Sequence, residues 1–217
     1  MIRRPRGNGS PVCDTRPMPE SAEELYARAL AAADADGRLP MPPVTDWETF
    51  PFDGDIRVRP LLPPGEEPPR LGEDQSDCWR CRQGDDDAIW SDERWLVTPL
   101  RAPSGLPVIV ILQPRAHHDL GDLPADLASE LGSLLVRVER AVDAVGEIGR
   151  VHVGRWGDGS AHLHFWFIAR PARLPQLRTS FAAIWDDILP PLPEELWREN
   201  LALVARALAS GGGRTHV

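Results

Sequence analysis

The sequence predicts an α+β fold, a sheet packed by one long helix with helical extensions before and after it, and three observations predict it. Short apolar runs bounded by polar turns recur between residues 88 and 112, the pattern of half-buried strands. Leu123, Leu127, Leu131, Leu134, Val138, Val142 and Val145 then recur at helical spacing. Finally, Ala161-His-Leu-His-Phe-Trp-Phe-Ile168 alternates, so an extended chain turns Leu163, Phe165 and Phe167 to one side and His162, His164 and Trp166 to the other.

Taken in order, residues 1–20 hold Pro, Gly and Arg with no apolar period and are expected to be a disordered arm. Ser21-Ala-Glu-Glu24 is a capping box, and its helix is expected to run to about Asp36. Residues 37–75 are studded with prolines, which exclude long regular elements; residues 21–77 therefore read as a helix plus a wrapping segment. The compact domain is expected over residues 78–171. Ala88–Trp90 and Trp95–Val97 flank the polar Ser91–Arg94 as a hairpin, and Val108–Leu112 is a third strand. The leucine-striped helix follows, with Pro124 in its first turn and Gly146 and Gly149 beyond it. Val151–Arg155 and Ala161–Ala169 are two more strands, joined by the turn Gly157-Asp-Gly-Ser160. Residues 172–217 read as an extension whose helix, about Glu194 to Leu208, carries Trp197, Leu201, Val204 and Leu208 on one face, followed by a loose tail holding His216.

Composition narrows the classes of function. All 24 basic residues are arginine and the net charge is −9, which disfavours long nucleic acid as a partner but leaves room for a local anion pocket. No run approaches the length of a membrane span and none resembles a signal segment, so a cytoplasmic protein is expected. Of the three cysteines, Cys13 stands alone in the arm, whereas Cys78-Trp-Arg-Cys81 has the gap that lets both thiolates reach one tetrahedral zinc. Two more ligands must come from elsewhere; His117 or His118, and His162, are the candidates. An alternative puts zinc on His117, His162 and His164 with an open water position. If His164 is free of metal, its imidazole can attack phosphorus, with the amides and hydroxyl of the loop ending at Ser160 holding phosphate oxygens. Asp85-Asp-Asp87 reads as a solvated turn, and Trp79, Trp90, Trp95, Trp156, Trp185 and Trp197 read as core.

Cys78-x-x-Cys81, Ile89–Val97, the run from Pro103 to His117, the striped helix and His162-Leu-His164-Phe-Trp166, in that order, resemble the histidine triad superfamily. The resemblance covers about residues 78–171. It implies a small antiparallel sheet crossed by the long helix, zinc on Cys78, Cys81, His117 and His162, and His164 as the nucleophile that attacks a nucleotide α-phosphate. Ser160 falls near a phosphate-contacting serine of the family and His152 near an asparagine, so both are expected substrate contacts. Trp166 departs from the pattern, since the third triad position is normally histidine, or glutamine in the uridylyltransferases; indole offers one donor on a bulky frame. Two functions follow from the resemblance: a nucleotide hydrolase or nucleotidyltransferase, or a zinc-stabilised binding module in which Trp166 has ended catalysis. It also implies a small nucleotide-like ligand and pairing as a homodimer, unless residues 37–75 and the C-terminal helix cover that interface.

Overall fold

The structure, a computed structural model, describes residues 20–217; the expected arm lies outside the described residues but for Glu20. Those residues form two compact units, 20–42 with 55–66 and 43–54 with 67–217. In the first, Ser21 caps α1 (Ala22–Ala31): its hydroxyl accepts from the Glu24 amide at 3.2 Å and its own amide donates to the Glu24 carboxylate at 2.8 Å. The expected end near Asp36 is corrected to Ala31. The Asp34 carboxylate there accepts the amides of Asp36 and Arg38, both at 2.9 Å, and Gly37 turns the chain at φ +75°. Arg38 then donates to the Val58 carbonyl at 2.8 Å, which ties the proline-rich segment of this unit to the helix end.

The second unit contains α2 (Trp79–Gln83), β1 (Trp90–Ser91), β2 (Trp95–Pro99), β3 (Ile109–Pro114), α3 (Ala125–Asp143), β4 (Ile148–Gly154), β5 (Phe165–Pro171), α4 (Ala182–Ile188), α5 (Glu194–Ala209) and β6 (Arg214–Thr215). The strands make one antiparallel sheet in the order β4-β5-β3-β2-β1-β6. The β1–β2 turn is set by Asp92, whose carboxylate accepts the amides of Arg94 at 2.8 Å and Trp95 at 2.7 Å. The fold is thus the expected α+β one, an antiparallel sheet packed by the long α3.

Alternation divides the sheet into two faces, as the sequence predicts. Leu127, Leu131, Leu134 and Val138 of α3 and Trp197, Leu201, Val204 and Leu208 of α5 bury one face, together with Phe167 and Ala169, and Phe165 packs against them. Ile109 and Ile168 face the other way, into a smaller cluster with Leu106 and Leu177 against which Trp166 and Trp185 pack. Two expectations are corrected here. β5 begins at Phe165 rather than Ala161, because residues 161–163 hydrogen-bond to other partners: Ala161 donates to the Leu71 carbonyl at 3.0 Å and Leu163 to that of His118 at 2.7 Å. The tail is not loose either. β6 pairs with β1, placing Trp90 opposite Thr215, and the His216 amide donates to the Ile89 carbonyl at 3.0 Å.

Candidate functional site

A five-residue α2, the segment after β3 and the segment before β5 converge at one end of the sheet. Cys78 caps α2 and Cys81 lies within it, so the two thiols share a side of a single turn. His117 follows β3 and His162 precedes β5; their ligand atoms and both sulfurs all lie within 4.8 Å of one another. Cys78 Sγ is 3.5 Å and Cys81 Sγ 3.6 Å from His162 Nδ1, and Cys81 Sγ is 3.4 Å from His117 Nδ1. The far nitrogen of His162 donates to the Pro114 carbonyl at 2.9 Å. A carbonyl can only accept, so neutral His162 carries its proton on Nε2 and turns the Nδ1 lone pair to the sulfurs. Burial pushes His162 down to about 4, which keeps it neutral. Burial, with the adjoining Cys78 thiol, pushes Cys81 up to about 11, so a thiolate at this position needs a cation beside it. The four residues form a group that could hold a metal ion.

Of the sequence alternatives, the geometry selects His117 and sets His118 aside, whose backbone carbonyl serves Leu163 instead. His164 is outside the cluster. Its Nδ1–H donates to the His162 carbonyl at 2.8 Å, which leaves the Nε2 lone pair free in the neutral ring. A cavity of about 380 Å³ opens between His164, His162 and Ser160 on one side and Trp79, Thr98 and Gln113 on the other. On its floor the buried Gln113 carboxamide donates to the Thr98 hydroxyl at 2.9 Å. Trp79, 43% exposed, forms a wall with the Arg101 guanidinium 4.7 Å from its ring centre.

The remaining predicted contacts divide. Ser160 lines the cavity, and its hydroxyl accepts the His162 amide at 3.3 Å. His152 stands opposite Ile168 on β5, four residues along the strand from His164, or about 13 Å, so the structure does not bring it to His164. Trp166 lies beside His164, their ring centres 6.5 Å apart. Trp79 and Trp156 are corrected from core to half-exposed positions, at 43% and 55% exposure. Asp85 and Asp87 are no solvated turn: Arg115 grips Asp85 at 2.5 and 2.8 Å, Arg214 joins at 2.8 Å, and Arg80 holds Asp87 at 2.8 Å. Sequence reasoning missed Asp119, whose carboxylate takes both Arg70, at 2.6 Å, and Arg155. Arg70 also donates to the Gly157 carbonyl at 3.3 Å, anchoring the loop before Ser160. No local signal announces that cluster, because its members come from distant parts of the chain.

Sheet, helix and cluster define an α+β protein with a group of two cysteines and two histidines that could hold a metal ion. No protein-family model matches the sequence, and no curated protein matches it. Among solved structures, the chain is similar to a zinc-bound histidine triad family protein from Mycobacterium smegmatis, at 21% identity over 62% of this chain and 95% of that one, with a TM-score of 0.45. It is also similar to a histidine triad protein from Sinorhizobium meliloti 1021, at 17% identity over 58% and 93% of the two chains and a TM-score of 0.47. A uridylyltransferase is similar at 17% identity over 71% of this chain and 54% of that one, with a TM-score of 0.42.

Proposed function

We propose that this chain is a zinc-held, nucleotide-processing enzyme of the histidine triad type, a hydrolase or nucleotidyltransferase in which His164 attacks a nucleotide α-phosphate. The observation that carries the reading is the 2.8 Å hydrogen bond from His164 Nδ1 to the His162 carbonyl. It aims an unprotonated Nε2 away from the backbone, and the same carbonyl steadies the ring when attack makes it cationic. As Nε2 bonds to phosphorus, the bond from phosphorus to the leaving oxygen or nitrogen breaks, and its electron pair departs with that group, which takes a proton from solvent. Water, or an acceptor hydroxyl or phosphate in a transferase, then attacks phosphorus. The bond to His164 breaks, the imidazole lone pair returns, and the attacking group's proton is released. Ser160 and the loop amides before it would hold the phosphate oxygens.

Zinc fits the cluster on geometry. A tetrahedral ion with bonds of about 2.3 Å to sulfur and 2.0–2.1 Å to nitrogen has sulfur-to-nitrogen edges of about 3.5 Å, and the edges here are 3.4, 3.5 and 3.6 Å. Cys78, Cys81, His117 and His162 would hold it, and its bonds would fix α2 and the start of β5 relative to each other. All four positions are then filled by protein, as in structural sites. The test is a His164→Ala variant screened against nucleoside phosphoramidates, dinucleoside polyphosphates and nucleotide sugars. Turnover should fall by about 10³-fold or more with metal content and melting temperature kept; equal turnover by that variant would remove His164 from the mechanism.

One observation favours a second reading, a catalytically inactive zinc-stabilised binding module. The third triad place holds the Trp166 indole, packed with Trp156 at 6.3 Å between ring centres, and it brings no small polar head to a phosphate. Binding of a nucleotide without turnover, by wild type and by Trp166→His alike, selects that module.

A further inference from the structure

Three rings stand in a row on the face of the sheet that carries the nucleophile. His164 and Trp166 lie 6.5 Å apart at 75°, and Trp166 and Trp156 lie 6.3 Å apart at 77°. Residue 154 is paired with Trp166 across the β4–β5 ladder, and paired residues project from the same side of a sheet. A methyl group at Gly154 would lie 3.1–3.2 Å from the Trp156 ring, so the indole lies over the bare Gly154 backbone, on the side of Trp166. The ring is seated from below, yet Trp156 is 55% exposed. A large aromatic held in place and left half uncovered beside a reactive group is a surface suited to stacking.

Its position relative to the cavity is equally specific. The cavity lies over β3 and β2, where Ile111, Gln113 and Thr98 line it, whereas Trp156 lies over β4, on the far side of β5. His164 therefore stands between the pocket and an open aromatic shelf. Next to the shelf, Arg70 and Arg155 share the Asp119 carboxylate, Arg70 also pairs with Glu73 at 2.7 Å, and Arg155 Nε is buried without a partner. Two guanidiniums are thus balanced by two carboxylates, and their ion pairs fix the segment that carries the indole.

The geometry points to Trp156 and Trp166 as a leaving-group subsite that stacks a planar aromatic group attached to the attacked phosphorus. This rests on the nucleotide-processing reading, in which the pocket over β3 and β2 takes the retained nucleoside. Trp156 thereby acts as a specificity residue, favouring substrates aromatic at both ends over those whose leaving group is a sugar. It also assigns a use to the indole at the third triad place, which supports the shelf instead of contacting phosphate.

The experiment measures binding in the zinc-loaded His164→Ala chain, with diadenosine tetraphosphate and ADP-glucose as probes. The dinucleotide should bind at least tenfold more tightly than the nucleotide sugar. Adding Trp156→Ala should bring the two affinities within about twofold, and Trp156→Phe should restore most of the difference. Because Trp156 is exposed, the melting curve should hold in each variant. Gly154→Ala, which displaces the ring without removing it, should also reduce the preference. An affinity ratio that Trp156→Ala leaves unchanged overturns the inference while the nucleotide reading stands. Failure of both probes and of AMP to bind overturns the nucleotide reading, and the shelf with it. A wild-type chain that sediments as a dimer and becomes a monomer with Trp156→Ala places a second copy on the indole and overturns the inference as well.

Discussion

Gly213 shows how much a single residue decides. Its φ of +77° lies where side chains are strained, and a methyl there would sit 2.6 Å from the Trp90 indole. That indole is fully buried, donates to the Gly212 carbonyl at 2.9 Å and carries the Arg137 guanidinium 4.8 Å from its ring. Bare backbone at 213 thus lets the tail close over Trp90. Gly213→Ala should cost about 1–3 kcal/mol, read as a melting temperature lower by several degrees. An unchanged melt would mean that the tail does not close on Trp90. His162 is fixed with comparable economy, since one hydrogen bond to Pro114 selects the nitrogen that meets the thiols.

At the scale of elements, α2 is the piece that cannot stand alone. Five residues are too few for a helix to persist in water by backbone bonds, and its Trp79 is half-exposed. Arg80, bonded to Asp87 and to the Gly84 carbonyl at 2.6 Å, helps to hold it, and a metal on Cys78 and Cys81 would do the rest. Cys78→Ser should therefore lower bound zinc from about one ion per chain to none, lower the melting temperature and speed amide exchange over residues 79–83. Zinc content equal to that of wild type would show that the ion, if present, is elsewhere. β5 is the contrasting case. Its sheet pairing with β3 and β4 secures it without the metal, so exchange over residues 165–171 should change little in the same variant.

Across the whole second unit, Asp85 gathers parts of the chain that are far apart in sequence. Arg115 after β3, Arg214 in β6 and Ser91 in β1 all reach its carboxylate. The Arg115 hydrogen bonds, followed by Arg214 and the nearby His216, hold the acid at about 2. A carboxylate so depressed binds its proton more weakly in the folded chain than in the unfolded one. Its stabilisation is complete above about pH 4 and drains as pH falls toward about 2. Asp85→Asn should thus melt well below wild type at pH 7, with the gap closing between pH 4 and pH 2. A gap independent of pH would show that packing, and not the charge, is what the substitution removes. Among the described residues no helix is long and apolar enough to cross a membrane, in keeping with the short, turn-bounded apolar runs of the sequence.

Periodicity by itself determined the sheet-and-helix order, because burial on one face imposes a repeat that needs no partner to be read: Leu127 to Val142 recur at helical spacing and Phe165 and Phe167 alternate with Trp166. Residue chemistry determined the candidates of the metal group, since few side chains other than Cys and His offer soft or neutral donors at that gap. Which histidine joins the cysteines was settled only in three dimensions, by the path of the chain after β3 that turns His117 inward and leaves His118 to bond Leu163 through its backbone. The exposure of Trp156 and the grip of Arg115 and Arg214 on Asp85 were likewise decided by tertiary structure. The physical reason is that hydrophobic pattern records how often a residue type is buried, whereas burial and ion pairing of one particular side chain depend on what distant segments bring to it.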